Sequence, residues 1–286
     1  MKVSKVLDAA DGSATPGQVF TASINQQSIP NDGAQLDYLK LGLKGAVSTA
    51  AVAIESFAGL LSEFVLRFGS DNRVVGDAGD LCALMAFYYG EIPTIGENTD
   101  NTGNDFLGGI KIPVYQKSDA SRQFLIQATR TAVTNIDTET ISLSAYWDTG
   151  EANRKAIHFV KVAHTTSGTA GVETLGSRIV PEGNLIGLII KEANGFNDGN
   201  IDTSVQRVKI LVNGKKQAEF NTLGDHTPID ECDFVTPSPL SDLLRTYKFF
   251  DLRPAGIDCK GQEVTIQIDV QDASDAIRIL PVIEIV

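Results

Sequence analysis

The chain has 286 residues, enough for one large domain or for two of about 140 residues, each able to bury a core. Its 36 acidic and 24 basic residues give a formal net charge of −12, which argues against duplex nucleic acid as a main ligand, because backbone binding needs a cationic surface. Three cysteines, Cys82, Cys232 and Cys259, lie far apart without a C-x-x-C and read as buried free thiols, not as a disulfide framework or a zinc site.

Residues 1–17 read as a frayed terminus in which Val3, Val6 and Leu7 form one amphipathic turn beside Lys2 and Lys5; an arm that touches a neighbour or a membrane surface is the alternative. The opening residues lack the apolar run of a signal peptide, and no apolar stretch of about 20 residues is present to cross a bilayer, so synthesis in the cytoplasm without export is expected. Residues 18–26 alternate as a strand, 28–33 are a turn cluster, and 36–44 are a strand broken by Gly42. Helical spacing of Val47, Ala50, Ala51, Ile54, Phe57, Ala58 and Leu61 predicts a helix over 47–61, with a strand as the alternative. Residues 63–69 and 73–75 form a hairpin-like unit. A helix over 81–88 follows, with Asp80 as N-cap and Gly90 as C-cap. After a long loop at 91–105, strands are expected at 108–115, 123–133 and 141–147.

The polar connector 149–155 marks the domain boundary, giving one domain over 1–150 and a second over 151–286. The second half opens with a strand at 156–163 and a Gly/Ser/Thr loop at 165–176. Residues 185–192 are nearly continuously apolar, as in a strand buried on both faces. In 206–220, Val208, Ile210 and Val212 alternate with polar neighbours, and Asn213-Gly214 supplies a type I′ turn between two strands. A loop at 226–239, a helix at 240–247 and strands at 248–252, 262–270 and 277–286 complete the chain.

The second half repeats the first. The hairpin at 206–220 echoes 64–80, with Gly214 matched to Gly69 and Gly224-Asp225 to Gly79-Asp80, each 145 residues later; the apolar alternation itself fits 144 residues later, which requires one slip or bulge. Both halves carry L-x-x-L-[L/M]-x-x-Y, at 81–88 and 240–247. Strand 108–115 matches 248–252, 123–133 matches 262–270, and 141–147 matches 277–283. Many short strands with one short helix per half predict an all-β chain of two tandem eight-stranded antiparallel jelly rolls.

The strand ending in Val212-Asn213-Gly214, its return strand and the 240–247 helix, all echoed in 64–88, resemble the double jelly-roll major capsid proteins of icosahedral viruses that enclose an internal membrane, of the tectivirus and corticovirus type. In the first copy Phe68-Gly69-Ser70 stands where the second has Val-Asn-Gly. The resemblance implies a non-enzymatic virion protein, made in the host cytoplasm, that forms homotrimers of six jelly rolls and contacts other capsomers and virion proteins. It also implies loops 91–105, 165–176 and 226–239 on the outer face or clasping neighbours, a lower edge facing lipid near Lys2 and Lys5, and no specific nucleic-acid partner.

The chain shows no G-x-S-x-G, H-E-x-x-H or P-loop motif, and no catalytic, cofactor-binding or metal-binding residue is assigned. His158 and His164 stand about 20 Å apart on an extended chain, too far to share a metal; with His226 they read as ordinary histidines. The acidic loops with Glu97 and Asp105, and with Asp198 and Asp202, are rich in oxygen ligands suited to Ca²⁺ but lack EF-hand spacing, and solvated turns are the default. Trp147, Tyr88, Tyr89 and Tyr115 suit sugar stacking or core and subunit contact equally. The alternative function is therefore a jelly-roll lectin or receptor-binding spike; a metal-dependent jelly-roll enzyme has the least support.

Overall fold

The two hairpins fold as their alternation requires. Asn213 and Gly214, at φ 50° and 73°, make the two-residue turn with paired positive φ that matches strand twist. In the first copy Gly69, at φ 62°, leads a two-residue turn with Ser70, the φ pattern of the type II′ alternative. Gly69 is therefore the counterpart of Asn213, not of Gly214, and the turns match without a slip. The same bond closes both: the Gly69 amide donates to the Gln123 carbonyl at 2.9 Å, and the Asn213 amide to that of Glu263 at 2.8 Å.

The computed structural model describes residues 2–10, 19–24, 29, 33–47, 54–93, 95–96, 105–133, 136–148, 154–167, 169–175, 183–192, 205–221, 244, 246–271 and 276–285. The chain divides into two units, Met1–Ile157 and His158–Val286.

In the first unit the elements are β1 (Lys2–Ala10), β2 (Val19–Ile24), β3 (Gln35–Val47), α1 (Ile54–Gly59), β4 (Leu61–Phe68), β5 (Asp71–Gly76), α2 (Ala78–Tyr89), β6 (Ile95–Gly96), β7 (Asp105–Lys117), β8 (Phe124–Arg130) and β9 (Ile136–Asp148). One sheet runs β1-β9-β3-β7-β6 and the other β5-β4-β8-β2, with antiparallel ladders throughout the paired strands. This is the strand order of a jelly roll. The apolar faces meet: Leu39, Leu41, Leu43, Ile112, Leu143 and Trp147 from one sheet, and Phe64, Leu66, Phe124 and Ile126 from the other, are all buried. Trp147 meets Phe124 edge-on at 6.0 Å. Burying one such side chain contributes roughly 1.5–3 kcal/mol.

The second unit repeats this order. Its elements are β10 (Ala156–Val160), which spans the division between the units, β11 (Val162–Thr165), β12 (Gly171–Leu175), β13 (Asn184–Lys191), β14 (Val205–Val212), β15 (Lys215–Asn221), β16 (Tyr247–Asp251), β17 (Ile257–Asp258), β18 (Val264–Val270) and β19 (Ala276–Ile285). One sheet holds β16-β13-β19, with β11 on β19 and β17 on β13; the other runs β12-β18-β14-β15. Leu188, Ile190, Phe250, Ile277 and Ile279 face Val205, Val208, Ile266, Ile268 and Val270 in one core cluster. β13 is buried on both faces, as its unbroken apolar run predicts: Leu185, Leu188, Ile189 and Ile190 are all sealed.

Several sequence expectations need correction. The start of the chain is a strand, β1, paired to β9 from Lys2↔Trp147 onward, because the backbone of β9 offers it a ladder. Gly42 does not break β3; it makes room, since a Cβ there would lie 2.6 Å from the Ser142 hydroxyl. Helix α1 covers only Ile54–Gly59 and Leu61 already belongs to β4, so the helical spacing overran into a strand; 48–53 lie outside the described residues. The loop expected at 165–176 contains β12. In the helix expected at 240–247, Leu244 is helical and Tyr247 opens β16; 240–243 and 245 lie outside the described residues, as do the loop 226–239 and Cys232. Cys82 and Cys259 are buried free thiols.

Helix α2 is buried nearly all round and lies against β7. Its N-cap is Asp77, not Asp80. Asp77 accepts from the Asp80 amide at 2.8 Å, and Asp80 accepts from the Asp77 amide at 3.0 Å, a reciprocal capping box that places Asp80 at the third helical position. Gly90 ends the helix as expected. In denaturant unfolding, Asp77→Ala is expected to lower stability by about 1 kcal/mol, and Phe124→Ala, which opens a cavity beside Trp147, by about 3–5 kcal/mol; equal effects would contradict the core placed here.

Candidate functional site

Five of the six tyrosines gather on the outer face of the first unit's β1-β9-β3-β7-β6 sheet and on α2. Alternation places Tyr38 on β3 and Tyr146 on β9 away from the core, directly opposite in register, and their rings stack at 4.4 Å with 13° between planes. Lys111, the outward residue between Ile110 and Ile112 of β7, lies 4.9 Å from the Tyr38 ring and 4.0 Å from the Tyr89 ring. Tyr88 on α2 meets both Tyr89 and Tyr115.

A bulge carries Tyr115 into this cluster. Leu36 pairs with Gln116 and Tyr38 with Pro113, so Asp37 faces two residues of β7, and Tyr115 takes φ 49°. Gln35 holds the bend: its Nε2 donates to the Tyr115 carbonyl at 2.6 Å and to the Arg154 carbonyl at 2.7 Å. Arg154 in turn donates from Nη1 to the Tyr115 hydroxyl at 2.8 Å and lies over its ring at 4.9 Å. The Tyr89 and Tyr115 hydroxyls are 3.2 Å apart. Burial, then the Asp148 carboxylate, raises the Asp37 carboxyl above its ordinary value; burial likewise raises the Tyr89 hydroxyl.

The structure thus brings Tyr88, Tyr89 and Tyr115 together but leaves Trp147 out. Trp147 lies on the opposite face of β9, fully buried, and offers no ring to a sugar. The tyrosine rings contact one another and two cations, an arrangement that fastens α2 to the sheet. Lys111 and Arg154 were not singled out from the sequence. Lys111 was legible as the outward member of an alternating strand; Arg154 was not, because its partner is 39 residues away.

In the second unit the ionisable groups pair locally. Lys248 on β16 and Glu192 after β13 are buried, with Nζ and Oε1 2.5 Å apart, and burial lowers the Lys248 ammonium while Glu192 opposes that shift. His164 on β11 bonds Glu173 on β12 at 2.7 Å, and the Ser167 amide donates to the same carboxylate at 2.7 Å. Hydrogen bonds from Ser167, and then from His164, hold Glu173 below its ordinary 4.5. Among the described residues no group of three or more His, Cys, Asp and Glu side chains is placed to hold a metal. Glu97, Asp198, Asp202 and His226 lie outside the described residues, and Asp105 opens β7.

No family model matches the sequence, and no curated protein matches it. In fold the chain is similar to the major capsid protein of bacteriophage PM2, at 9% identity and TM-score 0.61, over 100% of this chain and 98% of that one. It is similar to a chain of the Sulfolobus turreted icosahedral virus at 13% identity and TM-score 0.71, over 99% and 90%. A chain of the PBCV-1 virus capsid matches at 10% identity and TM-score 0.59, over 98% and 92%. The chain therefore has the all-β double jelly-roll fold of these major capsid proteins, as the sequence resemblance implied.

Lys248→Ala leaves Glu192 buried without its ammonium and is expected to lower stability by about 3–5 kcal/mol, whereas Lys248→Met with Glu192→Leu recovers most of it; denaturant midpoints distinguish the two. Because the folded Glu173 carboxyl sits below its ordinary 4.5, its contribution is complete above that value and disappears as pH falls through the folded one. Glu173→Gln is expected to reduce the loss of stability between about pH 7 and about pH 3, read from unfolding curves at both.

Proposed function

We propose that the protein is the major capsid protein of an icosahedral virus, with a structural and not an enzymatic role. The observation that carries this reading is the tandem pair of jelly rolls, similar in fold over nearly the whole length to capsid proteins of the PM2 and PBCV-1 viruses. Two domains, 1–150 and 151–286, form one protomer, and three protomers form a capsomer of six jelly rolls with pseudo-hexagonal outline. Such a trimer lets one chain tile a shell with near-equivalent contacts on six sides.

Assembly is the mechanism. Within the trimer, interfaces of roughly 2,000 Å² or more with apolar centres hold protomers permanently, while smaller and more polar contacts join trimers. The partners are copies of the same chain, other virion proteins and the lipid of an internal membrane, in a bacteriophage-type virion assembled from protein made in the host cytoplasm. In this reading Lys2, exposed at the start of β1, meets anionic head groups; the side chain of Lys5 lies outside the described residues. A net charge of −12 suits a shell that does not bind nucleic acid specifically.

The purified chain is expected to run in solution as a species of three times 30.6 kDa, measured by light scattering coupled to size exclusion. A monomer that persists at high concentration would sink the capsomer reading.

A further inference from the structure

The β4–β5 turn and the segment joining β7 to β8 enclose an open groove of about 580 Å³ in the first unit, a volume typical of a small-ligand site. Phe68 forms part of its wall, and two guanidinium groups lie near that ring, Arg73 at 6.0 Å and Arg122 at 5.6 Å. Lys117 adds a third cationic residue to the lining. The acidic side chains nearby leave these cations poorly matched. Asp71 Oδ2 lies 3.8 Å from Arg73 and 3.5 Å from Arg122, both long for a charged pair. Asp119 is engaged by the Ser121 amide and hydroxyl at 2.8 and 2.7 Å.

Three buried polar atoms of the lining residues have no hydrogen-bond partner: Arg73 Nε, Gln116 Oε1 and Ser118 Oγ. Buried groups of this kind are rarely left unmatched. They comprise a charged donor, an acceptor and a hydroxyl that serves as either. The Gln116 orientation follows from its Nε2, which donates to the Lys117 carbonyl at 3.1 Å. Arg73 owes its placement to a bulge, because Leu66 pairs with Val74 and Arg67 with Asn72, leaving Arg73 outside the ladder. Bulges commonly re-aim a side chain in this way. The equivalent bulge in the second unit carries Gln217, an exposed neutral residue. The cationic groove is thus a property of this chain's first unit and not of the jelly roll as such.

We propose that this groove binds a phosphate group. Guanidinium groups match the oxygens of such an anion by paired hydrogen bonds. Four tetrahedral oxygens suit a lining of two arginines and a hydroxyl better than the two oxygens of a planar carboxylate. A protonated phosphate oxygen also donates to Gln116 Oε1, which sulfate does not. The ligand is either free phosphate or the phosphomonoester head group of a lipid.

The test uses the full chain and two probes. Inorganic phosphate is titrated by calorimetry, with sulfate as comparator, and sedimentation is measured with phosphatidylcholine vesicles with and without phosphatidic acid. Saturable phosphate binding in about the millimolar range, tighter than sulfate, is expected. Arg122→Gln, at a half-exposed position that keeps the fold, is expected to weaken it by about tenfold or more. Gln116→Leu should erase the preference over sulfate, with melting curves confirming that both variants fold. Phosphate binding without added recruitment to phosphatidic acid assigns the site to the free anion; Arg122-dependent recruitment to those vesicles assigns it to the head group. Equal binding of sulfate and phosphate, binding indifferent to Arg122, or no binding of either probe overturns the proposal.

Discussion

The strands that build each core have a face that must meet the opposite sheet, and a slip of one residue would turn that face to water. Register is therefore the constraint on which the structure rests. Both units meet it in the same way, with bulges in equivalent places. The β4–β5 ladder shifts between Leu66 and Arg67, and the β14–β15 ladder between Ile210 and Leu211. The β3–β9 ladder shifts between Leu36 and Tyr38, and the β13–β19 ladder between Leu185 and Gly187. Each bulge absorbs one residue so that the apolar alternation on either side stays on the core face.

The residues released by these bulges are where the units diverge. In the first they are Asp37 and Arg73; in the second, Ile186 and Gln217. A residue outside the ladder is free of the in–out alternation and can change type without disturbing the sandwich. Asp37 stands beside the tyrosine cluster and Arg73 in the cationic groove, whereas Ile186 is buried and Gln217 exposed. The shared scaffold thus carries different surface chemistry in its two halves.

Paired polar groups act as fasteners, some buried and some partly exposed. Lys248 and Glu192 join the ends of β16 and β13, and His164 and Glu173 join β11 to β12. Gln35, Arg154 and Tyr115 tie the end of the first unit to its own sheet. Removing Lys248 leaves Glu192 desolvated, so that buried pair favours one arrangement of the strands more than it adds stability.

Much of the fold was legible in the residues. Alternation of Val208, Ile210 and Val212, the Asn213-Gly214 turn, and the matched strands of the two halves all depend on neighbours in sequence, and backbone geometry alone ties them to hairpins and strand order. The slip inferred from two spacings of the repeat is not needed, because Gly69 matches Asn213 and both hairpins carry their bulge at the same place. Other features depend on residues far apart in the chain. β1 is a strand because β9 supplies its ladder, α1 stops early because Leu61 has a place in β4, and Tyr115 meets Arg154 only once the bulge has turned it. The sequence by itself determined a twice-used pattern of apolar faces and turns, because those preferences are local. Only the tertiary structure decided which tyrosines, arginines and carboxylates share a surface, because their separation in space follows from strand pairing and not from spacing along the chain.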